Sequence, residues 1–247
     1  MTALFYFSST GNSLDLAQQL QQRLGGEIHY IPHFQGKMEG FDRLIIVSPI
    51  YSFGLPVHTE NFLHILPVGI PCYIILNYGG MAASAPYYAY CAAVKCGLDI
   101  RGVFTVKMPE NYTLSLVPPQ FFLRSALKRS RKKITGIANA IEEGKTRIPR
   151  KPGLNLEKIY RKNRANWHLI AADFSVNEDC IHCQKCASLC PAGNISVENG
   201  KVTFLDHCVG CLGCYHRCPQ KAINYKNQTQ KKPRYVNPNV NEADITQ

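Results

Sequence analysis

Eight of the eleven cysteines in this 247-residue chain fall within 39 residues near the C-terminus. They form two runs of one spacing, C-x2-C-x2-C-x3-C-P: Cys180, Cys183, Cys186, Cys190 and Pro191, then Cys208, Cys211, Cys214, Cys218 and Pro219, with every position offset by 28 residues. The module is an internal duplication. A cubane iron–sulfur cluster needs four thiolates at its corners, and a coiling C-x2-C-x2-C segment supplies three. A structural zinc ion would ask for two separated C-x2-C pairs, so the three-plus-one runs favour clusters. The prolines stop a helix and turn the chain away from the site. His182, His207 and His216 stand beside ligand positions that thiolates already fill, and read as neighbours. Cys72, Cys91 and Cys96 share no ligand spacing and read as ordinary semi-buried thiols.

A second chemistry is written near the N-terminus. Directly after the apolar run Leu4–Phe7 come Ser8, Ser9, Thr10, Gly11, Asn12 and Ser13, leading into a helical pattern. Hydroxyls and backbone N–H groups at a helix N-terminus make an anion cradle, and the helix dipole favours the charge. The loop holds no Lys or Arg and is neither a Walker loop nor G-x-G-x-x-G, which argues against a nucleoside triphosphate or a dinucleotide there. Two later loops add aromatics and glycines: Pro49-Ile50-Tyr51-Ser52-Phe53-Gly54 and Asn77-Tyr78-Gly79-Gly80. Aromatics can cover a planar ring, while glycines let backbone groups approach it. The stretch Met108–Tyr112 reads equally as a third wall or as a structural turn.

The elements that must position these loops alternate from residue 1 to about 141. Short β-rich runs at Leu4–Phe7, Glu27–Ile31, Leu44–Ser48, Cys72–Asn77 and Gly102–Lys107 are separated by helical stretches, the first with Leu16, Leu20 and Leu24 spaced by four. Such alternation predicts an α/β fold, a doubly wound parallel five-stranded sheet of order 2-1-3-4-5. All three loops then fall at the carboxyl edge of the sheet, where open α/β sheets bind ligands. In the cysteine module, Asn199-Gly200 between Ile195–Val197 and Lys201–Phe204 predicts a tight hairpin.

The serine-rich loop looks like the phosphate loop of flavodoxins, and the cysteine runs look like bacterial-type two-cluster ferredoxins. End to end the chain resembles flavodoxin–ferredoxin fusion proteins, over residues 1–141 and 174–226. That resemblance implies FMN, its phosphate on Ser8, Ser9, Thr10, Gly11, Asn12 and Ser13. Its ring would lie between Pro49, Tyr51, Ser52, Phe53 and Gly54 on one side and Asn77, Tyr78, Gly79 and Gly80 on the other. It also implies two [4Fe–4S] clusters in a small α+β domain. The last cysteine of each run would serve the other cluster, giving the sets Cys180, Cys183, Cys186, Cys218 and Cys208, Cys211, Cys214, Cys190. The acidic loops of many flavodoxins are missing.

Four regions result: 1–141, a basic linker at 142–173, the cysteine domain at 174–226, and a polar tail at 227–247 expected to run along the surface. The formal charge is +11, and residues 124–164 hold 14 Lys or Arg against three acids. Bound clusters and FMN would bring the net charge to roughly +5. The charge run reads first as a solvated helix face, then as a docking surface for acidic ferredoxins or oxidoreductases; no nucleic-acid motif accompanies it. No apolar run is long enough to span a membrane, the N-terminus lacks a leader pattern, and a dense thiol cluster suits a reducing compartment, so a cytoplasmic protein is expected. A homodimer is compatible with all of this. The function expected is intracellular electron transfer between clusters, FMN and protein redox partners. A flavin-dependent reductase using NAD(P)H or a small acceptor, and a redox sensor, are the alternatives.

Overall fold

The structure is a computed structural model describing residues 1–114 and 120–246. Five parallel strands, β1 (Thr2–Tyr6), β2 (Glu27–Tyr30), β3 (Arg43–Pro49), β4 (Pro71–Tyr78) and β5 (Asp99–Lys107), pair in the order β2-β1-β3-β4-β5. This is the flavodoxin-like, doubly wound order. Register runs Tyr6 to Val47, Val47 to Ile75 and Ile75 to Phe104. The central strands are continuous apolar runs because helices cover both faces, and Leu44–Val47 is fully buried.

Helices α1 (Asn12–Leu24), α2 (Val57–Phe62), α3 (Ala85–Lys95) and α4 (Gln120–Glu142) return the chain between strands or follow them. In α4, Leu127, Ile134, Ile137 and Ile141 form the buried stripe against α1 and β5. The opposite face carries Lys128, Arg129, Arg131, Lys132 and Lys133 in solvent, the arrangement expected of a solvated basic face.

Residues 142–173 differ from a free tether. Arg147 bridges beside β5 through Val103 N–H to Arg147 O at 2.9 Å and Arg147 N–H to Arg101 O at 2.8 Å. Helix α5 (Glu157–Ala165) buries Tyr160 completely, its hydroxyl 2.7 Å from Leu55 O and 2.8 Å from a Glu60 carboxylate oxygen. A 3-10 segment, Trp167–Asp173, leads into the cysteine module. One aromatic side chain inserted into a closed pocket and two edge hydrogen bonds are enough to dock the segment.

The module itself is small. Strands β6 (Phe174–Val176) and β9 (Ile223–Tyr225) pair antiparallel, β7 (Ile195–Glu198) and β8 (Lys201–Phe204) form the hairpin, and α6 (Lys185–Ser188) and α7 (Gly213–Arg217) each lie within one cysteine run. The duplication reaches the backbone. Left-handed residues recur at the same 28-residue offset: His182 and Gly210, Gln184 and Leu212, Gly193 and Lys221, Asn199 and Asn227. Gln184 and Leu212 are the left-handed residues just before α6 and α7, so the coiling that presents three cysteines to one centre is built twice.

The C-terminal tail is not an extended surface segment. It folds back over the first βα loop, burying Tyr235, Asn237 and Ile245. Asn237 N–H bonds Thr10 O at 2.8 Å, and Tyr6 donates its hydroxyl to Asp244 O at 2.9 Å. No helix among the described residues is long and apolar enough to cross a membrane.

Candidate functional site

A cavity of about 380 Å³ opens at the carboxyl edge of the sheet. Of the residues expected there, Asn12, Pro49, Tyr51, Ser52, Phe53, Asn77, Tyr78, Gly79 and Gly80 line it. Pro109, Glu110, Asn111 and Tyr112 add a third wall, which resolves the stretch that the sequence left open. The far side is supplied by Trp167 and by Gly210, Cys211 and Leu212 of the cysteine module. No local pattern signalled that junction.

Each wall has a local cause. Tyr51 and Gly54 bond each other reciprocally at 2.9 and 3.0 Å, with Ser52 and Phe53 left-handed at φ 47° and 72° between them. The result is a tight two-residue turn that carries a polar and an aromatic side chain at its tip. Gly54 itself faces away, against the Tyr160 ring. Gly79 lies so close to the β5 loop that a Cβ there would stand 2.5 Å from Glu110 Cα, so no larger residue fits.

From the serine-rich loop only Asn12 reaches the cavity lining; Ser8, Ser9, Thr10 and Ser13 are buried and Gly11 lies beneath the tail. The loop's bonding leaves donors in place. Ser8 Oγ accepts the Gly11 N–H at 3.0 Å, Thr10 Oγ1 accepts from Asn111 Nδ2 at 2.7 Å, and Ser13 Oγ accepts from Asn77 Nδ2 at 2.7 Å. A hydroxyl used as acceptor keeps its own O–H to donate. Helix α1 has no side-chain cap, and its first intrahelical bond runs from Asp15 N–H to Gly11 O, so the Asn12, Ser13 and Leu14 amides lack intrahelical acceptors. Amides at a helix N-terminus beside neutral O–H donors are the chemistry a phosphate needs, but Thr10 and Ser13 lie buried behind the cavity lining. Asp15, in the first turn, is occupied by Asn237 and Asn239 of the tail.

The eight module cysteines separate into two groups. Cys180, Cys183, Cys186 and Cys218 line one small cavity. Cys190 lies near Cys208, Cys211 and Cys214, and Cys186 of the first group also lies near Cys214. Thiolate chemistry fits both. Asn194 N–H points at Cys190 Sγ at 3.2 Å and Gly210 N–H at Cys208 Sγ at 3.4 Å. Burial pushes the Cys211 thiol up to about 12, with Cys190 and Cys208 adding to it, and burial also raises the Cys214 thiol well above its ordinary value. Iron held by these cysteines would reverse that preference, because a metal's positive charge makes the thiolate the favoured form. Cys183 is exposed, so the first group lies nearer solvent, whereas Cys211 is packed against the sheet core.

A sheet cavity walled by a loop of the duplicated cysteine module joins the two parts of the chain, a flavodoxin-like sheet domain and a ferredoxin-like module. Residues 179–223 match the 4Fe-4S dicluster domain. An uncharacterized ferredoxin of Methanocaldococcus jannaschii is 40% identical over 60 residues, 22% of this chain and 78% of that protein. The chain therefore belongs, through this module, to the 4Fe-4S dicluster ferredoxins. Pyruvate synthase subunit PorD of the same organism is 46% identical over 50 residues, and polyferredoxin MvhB of Methanothermus fervidus 40% over 52. These alignments take 19% and 21% of this chain, and they span 57% of PorD and 13% of MvhB. Among solved structures, an archaeal flavodoxin aligns over 56% of this chain and 99% of its own, with 16% identity and a TM-score of 0.37. A WrbA-like flavodoxin from Agrobacterium tumefaciens aligns over 58% and 98%, with 13% identity and a TM-score of 0.41.

Proposed function

We propose that the chain is an electron conduit joining a protein redox partner to FMN through two [4Fe–4S] clusters. When bound, the clusters supply one-electron steps and FMN takes or gives one or two electrons. Thr10, Ser13 and the α1 amides hold the phosphate with neutral donors. Tyr51, Phe53 and Tyr78 cover the ring, and Gly79 and Gly80 admit backbone groups to it. Cys180, Cys183, Cys186 and Cys218 hold the outer cluster; Cys208, Cys211, Cys214 and Cys190 hold the inner one.

The observation that carries this reading is the placement of Cys211 in the wall of the cavity that Tyr51 and Tyr78 also line. A ligand of the inner cluster and the flavin loops share one enclosure, so electrons need no second protein between them. Exposed Cys183 and the neighbouring Ile181, 58% exposed, support the outer group as the port for a partner. The exposed cations Lys128, Arg129, Arg131, Lys132 and Lys133 within the basic segment 124–164 favour an acidic ferredoxin or oxidoreductase as that partner, by steering its approach. Such a conduit belongs in a reducing, cytoplasmic compartment. Anaerobic purification with iron, sulfide and flavin counts tests the reading: two full clusters and one FMN per chain support it, and a chain that takes up zinc or no flavin contradicts it.

A further inference from the structure

The serine-rich loop is not completed by the sheet domain alone. Asn237 of the C-terminal tail is 1% exposed and spends its polar groups around that loop. Its N–H bonds Thr10 O at 2.8 Å, and its Oδ1 accepts the Asn239 N–H at 2.9 Å. The second bond turns the amide nitrogen inward. Nδ2 donates to Asn12 Oδ1 at 3.2 Å and to Asp15 Oδ2 at 3.0 Å, so it bridges two side chains on the first turn of α1.

Asn12 is the residue of the loop that reaches the cavity wall, so its orientation bears directly on a bound ligand. Tyr235 donates its O–H to the same Oδ1 at 2.7 Å, and Asn12 Nδ2 donates to Pro109 O at 3.1 Å. With both donors on Oδ1 supplied by the tail, the amide is locked. One Nδ2 hydrogen is left without a protein partner among the described residues.

Asp15 presents the opposite problem. It is 4% exposed, and its carboxylate is held by amide donors: Gln19 Nε2 at 2.7 Å, then Asn237 Nδ2 and Asn239 Nδ2 at 3.0 Å each. Two of these come from the tail. Arg131 on α4 holds Asn239 Oδ1 at 3.0 Å and so keeps that amide turned toward Asp15. A buried carboxylate without such donors is costly, and a helical side chain lies over the turn N-terminal to its own position. Stripped of the tail, the Asp15 charge would stand beside the α1 N-terminus and oppose an anion brought to it. Gly11 is shaped to the same partner: a Cβ there would lie 2.6 Å from Val240 Cγ2 and 3.2 Å from Asn237 Cβ. The loop closes against the tail with no room for a side chain.

We propose that Asn237 is a positioning residue of the cavity: it orients Asn12 and occupies the Asp15 carboxylate, so that docking of the tail and binding of FMN are one coupled event. The coupling is reciprocal, since a docked tail that raises the affinity for FMN must itself be tightened by FMN to the same extent. This inference rests on the FMN reading above, and its test keeps the two apart.

Full-length protein with its clusters intact is deflavinated and titrated with FMN by flavin fluorescence, and the tail is followed by hydrogen exchange. Asn237→Ala should weaken FMN about tenfold, the loss expected for one or two hydrogen bonds. FMN should slow exchange across residues 234–246 of the wild type. Asn237→Asp keeps the shape and the bond from Asn239 but sets a second carboxylate against Asp15. Its loss should exceed that of Asn237→Ala and shrink as salt is added. Asp15→Asn in the same chain exchanges donor and acceptor and should return most of the affinity, which a tail that had merely unfolded would not do. Unchanged FMN affinity in Asn237→Asp, no recovery on adding Asp15→Asn, or a tail that FMN does not protect would overturn the coupling while the bound flavin leaves the FMN reading standing. A wild-type chain that takes up no FMN would overturn both.

Discussion

The imidazole Nε2 of His216 lies 2.7 Å from the backbone oxygen of Asn111, joining the helix between Cys214 and Cys218 to the cavity wall after β5. On its other side, Nδ1 accepts the Tyr235 N–H at 3.1 Å. These partners fix the neutral tautomer with its proton on Nε2. From Asn111 the connection continues through Nδ2 to Thr10 Oγ1 at 2.7 Å. The helix α7 and the tail thus meet at one ring, and Asn111 extends the connection to the serine-rich loop.

Protonating that ring places a second N–H against the Tyr235 donor. Burial holds His216 down from 6.5 to about 4. A depressed folded value means that the unfolded chain binds the extra proton first, so stability is fully present above 6.5 and is lost as pH falls toward 4. Between pH 7 and 5.5 the wild type should lose about 1 kcal/mol relative to His216→Gln, which cannot titrate. Denaturant midpoints at the two pH values check this; parallel losses in both proteins would contradict it.

Cys218→Ala should damage the cluster on Cys180, Cys183 and Cys186 and spare the one on Cys208, Cys211 and Cys214. Cys218 shares a cavity with the first three, whereas Cys190 acts on the second three. Paramagnetic spectra of the anaerobic variant distinguish the outcomes. Loss confined to the Cys208 set would reverse the wiring.

Replacing Thr10 and Ser13 by alanines should weaken FMN while leaving riboflavin nearly unaffected. Each hydroxyl gives up one donor toward the phosphate, worth about 1.5–3 kcal/mol with a charged acceptor, or roughly tenfold to a hundredfold in affinity. Titration of deflavinated protein with both ligands measures the difference. Equal losses would mean that the substitutions act by freeing Asn111 and Asn77 from their hydroxyl partners and not through phosphate.

The parts legible in the sequence are those that local chemistry writes. Short β-rich runs specified all five strands to within a few residues, Asn199-Gly200 specified the hairpin, and the cysteine offset specified a duplication that recurs in the left-handed backbone positions. The junction was not legible because single side chains make it across long separations. Tyr160 reads as one aromatic in a basic stretch, yet it fills a pocket beside Leu55 and Glu60. The tail is polar and Asn-rich, the composition of a surface segment, but its Asn237 side chain replaces solvent at Asn12 and Asp15 with hydrogen bonds of 3.2 and 3.0 Å. Periodicity reports which face of an element is apolar and does not report which distant loop a polar side chain will satisfy.

The central claim is that electrons pass between the clusters and the flavin inside one chain, and the shared cavity wall at Cys211 is its structural basis. In an anaerobic stopped-flow experiment, a photochemically generated reductant loads the clusters, and flavin absorbance is followed across a wide range of protein concentrations. Because the ligand loop and the flavin loops are held in one enclosure, a first-order rate independent of protein concentration is predicted. A rate that scales with concentration would show that the flavin is served by another molecule, and would contradict the account.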